Sequence, residues 1–284
     1  MSSPLVVETI AGIRSELATL RADGKTVALV PTLGALHKGH MAHVKRAKKL
    51  ADVVVVSIFV NPLQFGANED LDKYPRDLEA DLEKLAKHDI GFVFAPSVEQ
   101  MYPDGGTQVK VTGGEVATLY EGRARPGHFN GVLTVVAKLL QIVRPDVVTF
   151  GQKDAQQLFL VQRMVKDLDI PVAIEVIETV REDDGLAMSS RNRYLAPGER
   201  KAAKALSRAL EAAQSAADRG IDTVIAAAQS VLMDENLVKL DYLKVVNPKT
   251  FLPVDDGFRG AARVLIAATV GQTRLIDNES IYLN

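Results

Sequence analysis

The chain contains no cysteine and no tryptophan. Without cysteine it has no disulfide framework, no thiolate zinc site and no cysteine nucleophile. The same absence fits a reducing compartment. A dominant charge is missing too, since the formal net charge is −2. A chain with no global basic field is a poor non-specific binder of nucleic acid. The opening residues, MSSPLVVETIAGIRSEL, lack the basic stretch and long apolar run of a secretory leader. Apolar runs such as Val53–Val56 are far too short to span a bilayer. There is no long internal repeat and no low-complexity tract. Together these absences predict a soluble, cytoplasmic protein without membrane or nucleic-acid partners.

What is present is 284 residues, 47% of them hydrophobic. That is enough to bury a sizeable core in one large or two modest domains. KTVALVP, Lys25–Pro31, is a β-branched run that predicts a buried strand. HMAHVKRAKKLAD follows with helical spacing at Met41, Val44, Ala47 and Leu50, and VVVVSIFV, Val53–Val60, predicts a second strand. A strand, a helix and a strand in succession imply a parallel pair with a crossover. RDLEADLEKLAKHD then reads as a helix and IGFVFAP as a strand. FNGVLTVVAKLLQIV and DAQQLFLVQRMVKDL read as helices, with DVVTFG and VAIEVIETV as strands. The alternation predicts a Rossmann-like, doubly wound parallel α/β sheet.

The pattern changes beyond Arg193. PGERKAAKALSRALEAAQSAADRG reads as one long Ala-rich helix, with Pro197 in its first turn and Gly220 as its stop. A second helix is expected over Ile221–Met233, followed by strands in LDYLKVVNP, ARVLIAATV and TRLIDNESIYL. Helices followed by strands suggest a separate, smaller C-terminal α+β domain. The expected division is 1–180 and 181–284, with the boundary between Thr179 and Arg193.

The stretch most in need of explanation is PTLGALHKGH, Pro31–His40. A zinc site would need a third protein ligand, and catalytic HExxH pairs lie at i, i+4 rather than i, i+3. The other histidines are His43, His88 and His128. Gly34 and Gly39 do not match the GxGxxG dinucleotide loop. They have the gap of a P-loop, but His40 and Met41 stand where Lys and Ser/Thr are required. Two surface histidines at a helix start is the plainest alternative. However, a loop between a parallel strand and a helix lies at the carboxyl edge of the sheet, where α/β proteins bind ligands. Helix N–H groups there favour phosphate. An imidazole beside phosphate can donate to the charge that builds up in a transition state.

Four further stretches occur in order along the chain: FVNPLQF (Phe59–Phe65), EGRARPGHFNGV (Glu121–Val132), FGQKDAQQL (Phe150–Leu158) and LAMSSRNRYL (Leu186–Leu195). With PTLGALHKGH they resemble the pantoate–β-alanine ligase (pantothenate synthetase) family of the nucleotidylyltransferase superfamily, which carries an HxGH motif. The resemblance covers nearly the whole chain. Leu33 and Leu63 stand where that pattern usually has Met, and Gln152 where Glu is common. Leu for Met conserves apolar volume. Gln152 keeps an acceptor but carries no charge.

The resemblance implies ATP-dependent condensation of pantoate with β-alanine through pantoyl adenylate, and a homodimer. It implies that His37 and His40 stabilise the reacting phosphate, with Lys153 as a phosphate clamp. Leu33, Gly34, Ala35, Leu36, Lys38 and Gly39 would line the ATP site with them. So would Gly151, Gln152, Asp154, Val180, Met188, Ser189, Ser190 and Arg191. Gln64 and Gln157 are the implied pantoate contacts, and Gln64 also borders β-alanine. Asn61, Arg125 and His128 stand behind them. Phe150 can pack on pantoate methyl groups, whereas Val135 and Val136 read as core. Mg²⁺ is expected mainly through ATP phosphates. Asp81 is a candidate contributor, although its helix reads as a solvated, charged face. The polar segment FGANEDLDKYPRD reads as a loop suited to closing over a reactive intermediate. A nucleotidylyltransferase that leaves the nucleotide on its product shares the HxGH chemistry. A non-catalytic nucleotide binder and a tRNA synthetase fit less well.

Overall fold

The computed structural model describes residues 4–66, 71, 72 and 74–284. The chain divides into two compact units, Met1–Gln152 with Gln156–Glu178, and Lys153–Ala155 with Thr179–Asn284.

In the first unit the strands are β1 (Leu5–Val7), β2 (Val27–Thr32), β3 (Val53–Ile58), β4 (Phe92–Phe94), β5 (Val147–Gly151) and β6 (Ala173–Ile177). Every pairing is parallel, in the order β1-β4-β3-β2-β5-β6. The helices are α1 (Ile10–Ala22), α2 (Lys38–Ala47), α3 (Leu78–Ala86), α4 (Val98–Met101), α5 (Tyr120–Ala124), α6 (His128–Val143) and α7 (Ala155–Asp167). Successive side chains of a strand point to opposite faces, and this sorts the core into two layers. Val27 and Leu29 join Val55 and the apolar face of α6 in one cluster. Ala28, Val30, Val54 and Val56 join Val44 and Ala47 of α2 and Leu85 of α3 in the other. A strand buried on both faces must be apolar throughout, which is why β2 and β3 read as unbroken runs rather than alternating ones. The doubly wound α/β expectation is met.

β1 and α1 are not evident from the sequence pattern. β1 has three residues on the sheet edge. α1 is announced chiefly by its cap, Thr9, whose hydroxyl accepts from Gly12 N at 3.0 Å. The FVNPLQF segment leaves the sheet at the end of β3 and makes a 3₁₀ turn, Pro62–Gln64.

In the second unit, α8 (Pro197–Ala203), α9 (Ala205–Ser215) and α10 (Ile221–Met233) accompany an antiparallel sheet of β7 (Val238–Val246), β8 (Gly260–Val270) and β9 (Thr273–Leu283). The expected single helix over 197–220 is broken at Lys204. The carbonyl of Lys204 takes the Ser207 hydroxyl at 3.1 Å as well as Arg208 N at 3.2 Å. A 3₁₀ turn, Ala217–Arg219, then precedes Gly220 at φ 87°. The alanines remain useful after the break: Ala202, Ala203, Ala205, Ala209 and Ala213 all lie in this unit's core with Val264, Ile266 and Ala268 of β8. Among the described residues no helix is long and apolar enough to cross a membrane.

One close approach in the first unit is unforgiving. A Cβ placed on Gly131 of α6 would collide with the carbonyl of Leu63 in the 3₁₀ turn. Backbone cannot yield as a flexible side chain does, so Gly131→Ala is expected to cost about 1–3 kcal/mol, as overpacking generally does. Thermal unfolding measures this; an unchanged midpoint would mean that α6 and the turn separate freely.

Candidate active site

The loop after β2 is held from below. Gly34 has φ 86° and Ala35 φ 50°, two successive left-handed residues that bend the chain sharply. A Cβ on Gly34 would sit 3.2 Å from both Asp81 Oδ2 and Ile58 Cγ2, so the left-handed conformation favours glycine and the space beside it is tight. Asp81 is 2% exposed. Its Oδ1 accepts the amide of Leu36 at 2.8 Å and pairs with Lys84 Nζ at 3.2 Å. This corrects the solvated reading of Asp81. The helix places it inward, and its carboxylate fastens the glycine-rich loop to α3.

That loop delivers the chain to α2, whose first turn is capped by its own histidines. His37 is the N-cap, with φ −138° and ψ 178°. Its Nδ1 accepts from Gly39 N at 3.1 Å, and the Nδ1 of His40 accepts from His37 N at 3.2 Å. The two rings lie with centroids 4.1 Å apart. This is a capping box built from imidazoles. A ring nitrogen that accepts carries no proton, so each neutral ring is the tautomer with its proton on Nε2. The caps therefore decide which atom of each ring can donate. His43, one turn further on, bonds Thr149 Oγ1 at 3.0 Å, and its Nε2 lies 3.4 Å from where a Cβ on Gly151 would stand. The α2 helix thus packs against the end of β5 beside the open backbone of Gly151. Gln152 is fixed there through its amide, which donates to Ile177 O at 2.7 Å.

A second group forms around the 3₁₀ turn. Gln64 is buried. Its carbonyl accepts from His128 Nδ1 at 2.8 Å and Arg125 Nη2 at 3.4 Å, while Arg125 Nη1 donates to His128 Nε2 at 3.0 Å. Its side-chain Oε1 accepts from Asn61 Nδ2 at 3.1 Å. Asn61, Gln64, Arg125 and His128, drawn from two distant stretches of sequence, thus meet in one hydrogen-bonded group. Gln157 is half-buried in the first turn of α7. Its neighbour Gln156 is buried with its amide committed to Glu121 N, Val116 O and Leu119 O. Phe150, Val135 and Val136 are buried in the core cluster.

The second unit carries the remaining residues. The carbonyl of Lys153 accepts from Asn278 Nδ2 at 2.9 Å, and Lys153 Nζ stands 3.6 Å from Asp154. Val180 and Met188 are joined by a backbone bond of 2.9 Å. Ser189 caps a short 3₁₀ turn, Ser190–Tyr194, by accepting from Arg191 N at 3.3 Å. Asn192 anchors this turn to Glu182 and the Ala187 carbonyl, and Arg200 binds both Glu182 and Asp184. The Arg200 hydrogen bond holds the Glu182 carboxyl below the usual carboxylate range. Among the described residues no group of three or more His, Asp or Glu side chains is gathered to hold a metal ion. Of the expected closing loop, 65–77, residues 67–70 and 73 lie outside the described residues.

Two residues of consequence were not legible beforehand. Asp81 looks like any acid of a charged helix. Tyr102, whose hydroxyl donates to Asn61 Oδ1 at 2.8 Å, lies outside every motif and 41 residues from its partner.

The cap makes a stability prediction. His37→Ala removes the acceptor for Gly39 N and should cost about 1 kcal/mol, whereas His37→Asn supplies a good N-cap and should keep the parent's stability. Urea unfolding of both variants checks this; equal losses would show that the imidazole cap is not what stabilises the turn.

Known proteins match this chain along almost its whole length. The model of the pantoate-beta-alanine ligase family matches residues 5–280. A pantothenate synthetase of Nocardioides sp. is 54% identical over 289 residues, covering 99% of this chain and 86% of that protein. The crystal structure of pantothenate synthetase from Thermus thermophilus matches with a TM-score of 0.91 at 46% identity, covering 98% of this chain and 99% of that one. The pantoate-beta-alanine ligase of Francisella tularensis, crystallised with beta-gamma ATP and β-alanine, matches with a TM-score of 0.80 at 35% identity, covering 97% of each chain. Matched in sequence and in fold along almost its whole length, the chain belongs to the pantoate–β-alanine ligase family.

Proposed function

We propose that the chain condenses (R)-pantoate with β-alanine to give pantothenate, using ATP and releasing AMP and pyrophosphate. The observation that carries this reading is the histidine capping box at the head of α2, in a chain of this family. The pantoate carboxylate attacks the α-phosphorus, pyrophosphate leaves, and negative charge spreads over the phosphate oxygens. The Nε2–H groups of His37 and His40 donate to that charge beside the helix N-terminus, where the backbone dipole also favours it. Neither ring has to reorient to do so, because both tautomers are set by the caps. Lys153, Ser189, Ser190 and Arg191 supply further donors for the triphosphate, and Asp154 with Gly151 borders the ribose. The amine of β-alanine then attacks the acyl carbon, loses its proton, and expels AMP. No side-chain nucleophile is required, so positioning and electrostatics supply the catalysis.

Gln64 presents donors to pantoate, since its Oε1 is taken by Asn61. An acceptor-rich hydroxy acid suits that amide. Mg²⁺ fits as an ion carried by phosphate oxygens and water, neutralising the triphosphate. Asp81 is not arranged to join it, because its carboxylate already binds Leu36 N and Lys84. The smaller C-terminal domain, 181–284, is the part we expect to serve as a lid for the acyl adenylate. We place the reaction in the cytoplasm, and the chain in a homodimer as the resemblance implies.

The deciding assay mixes ATP and pantoate with and without β-alanine. Exchange of pyrophosphate into ATP should need pantoate alone, and sustained AMP release should need β-alanine. Nucleotide retained on the final product would favour a nucleotidylyltransferase instead. In the same assay His37→Asn should fold like the parent yet lose roughly 10²–10³ in adenylation rate, as loss of a transition-state donor does. Gln64→Glu, equal in size but offering an acceptor where a donor stood, should weaken pantoate use at least as far as Gln64→Ala, by about 5- to 150-fold, with the ATP KM unchanged. A shifted ATP KM with normal pantoate kinetics would move Gln64 out of the pantoate pocket.

A further inference from the structure

Behind Gln64 lies a buried polar chain whose far end belongs to no motif. Tyr102 follows the last residue of α4 and is 3% exposed. Its ring lies 6.1 Å from that of Phe59, and Lys138 Nζ stands 5.6 Å above it. The hydroxyl donates to Asn61 Oδ1 at 2.8 Å. Burial pushes the phenol well above its ordinary value, so it keeps its proton and remains a donor.

Asn61 is fully buried, and four hydrogen bonds surround its amide. Oδ1 accepts from Tyr102 at 2.8 Å and Leu63 N at 3.3 Å. Nδ2 donates to Gly131 O at 3.1 Å and Gln64 Oε1 at 3.1 Å. The bond from Tyr102 is the shortest of the four. Without it the buried Oδ1 keeps one long partner, and such a group reorients to recover what it has lost. Reorientation of Asn61 withdraws the donor that fixes Gln64 Oε1. The Gln64 amide is then free to present oxygen instead of N–H, while its backbone stays in place on His128 and Arg125.

We propose that Tyr102 is a positioning residue for pantoate: through Asn61 it holds the Gln64 amide with its N–H groups toward the substrate. The proposal rests on the reading of Gln64 as a pantoate contact. It makes pantoate selection depend on a hydroxyl that does not touch the substrate. It also explains why a tyrosine, rather than the phenylalanine that would pack equally well, occupies a closed apolar position.

The test is a double-mutant cycle read in steady-state kinetics. Tyr102→Phe should raise the pantoate KM about five- to twenty-fold, roughly the value of one lost buried hydrogen bond, and leave the ATP KM alone. In a Gln64→Ala background the same change should have no further effect on pantoate KM, since interacting residues are non-additive. A purely structural tyrosine would give equal effects in both backgrounds, or raise the KM of ATP as well, and either result overturns the proposal. So does an unchanged pantoate KM for Tyr102→Phe. Asn61→Asp keeps the acceptor for Tyr102 but loses the donor to Gln64, so it should show the same pantoate-selective defect. If Gln64→Ala leaves pantoate KM unaltered while the parent still forms AMP with β-alanine, the pocket assignment fails and the proposal with it. If the parent forms no AMP at all, the reaction itself has been misread, and these two failures are told apart by that one measurement.

Discussion

The first unit is organised by the hydrogen bonding of a single strand to two neighbours. β2 pairs with β3 along Val27–Thr32 and with β5 at Ala28 and Leu29. Strand order runs outward from it in both directions, so β2 stands where the sheet reverses. Helices must leave that point toward opposite faces, and a crevice opens at its carboxyl end. The glycine-rich loop, the histidine caps and the backbone of Gly151 all gather there because β2 and β5 end side by side. Were β2 an edge strand, the same motif would open onto solvent, with nothing beside it to complete a pocket.

Around that crevice, structural duty determines chemical capacity. His37 and His40 use one ring nitrogen each to finish a helix, and this leaves the proton on the other. Asp81 spends its charge on a backbone amide and a lysine, holding a loop instead of an ion. Asn61 is consumed entirely within the protein, its Nδ2 donating to Gln64 Oε1 and to the Gly131 carbonyl. In each case the residue's interior bonds, rather than its type, determine what a ligand meets.

The sequence was most legible where one signal was enough. The valine runs of β2 and β3 could only be strands of a sheet covered on both sides, and PTLGALHKGH could be placed at the sheet's carboxyl edge from its position between strand and helix. Legibility failed where geometry depends on residues far apart. Nothing near Asp81 says that it will turn beneath Leu36, 45 positions earlier. Nothing near Tyr102 points to Asn61. The Ala-rich 197–220 segment read as one helix because propensity is local, whereas the structure interrupts it at Lys204 and ends it in a 3₁₀ turn before Gly220. The individual members of the ATP and pantoate sets came from resemblance. Composition or periodicity alone would have left Gln64 an ordinary glutamine.

The missing side chain at Gly131 has one more consequence. Because α6 rests directly on the carbonyl of Leu63, the turn that carries Gln64 meets the helix backbone to backbone, and the Asn61 side chain donates to the Gly131 carbonyl beside it. Contacts of that kind have no rotamers to exchange and so little entropy left to lose when a ligand arrives. The turn that carries Gln64 is therefore set in place before any ligand arrives.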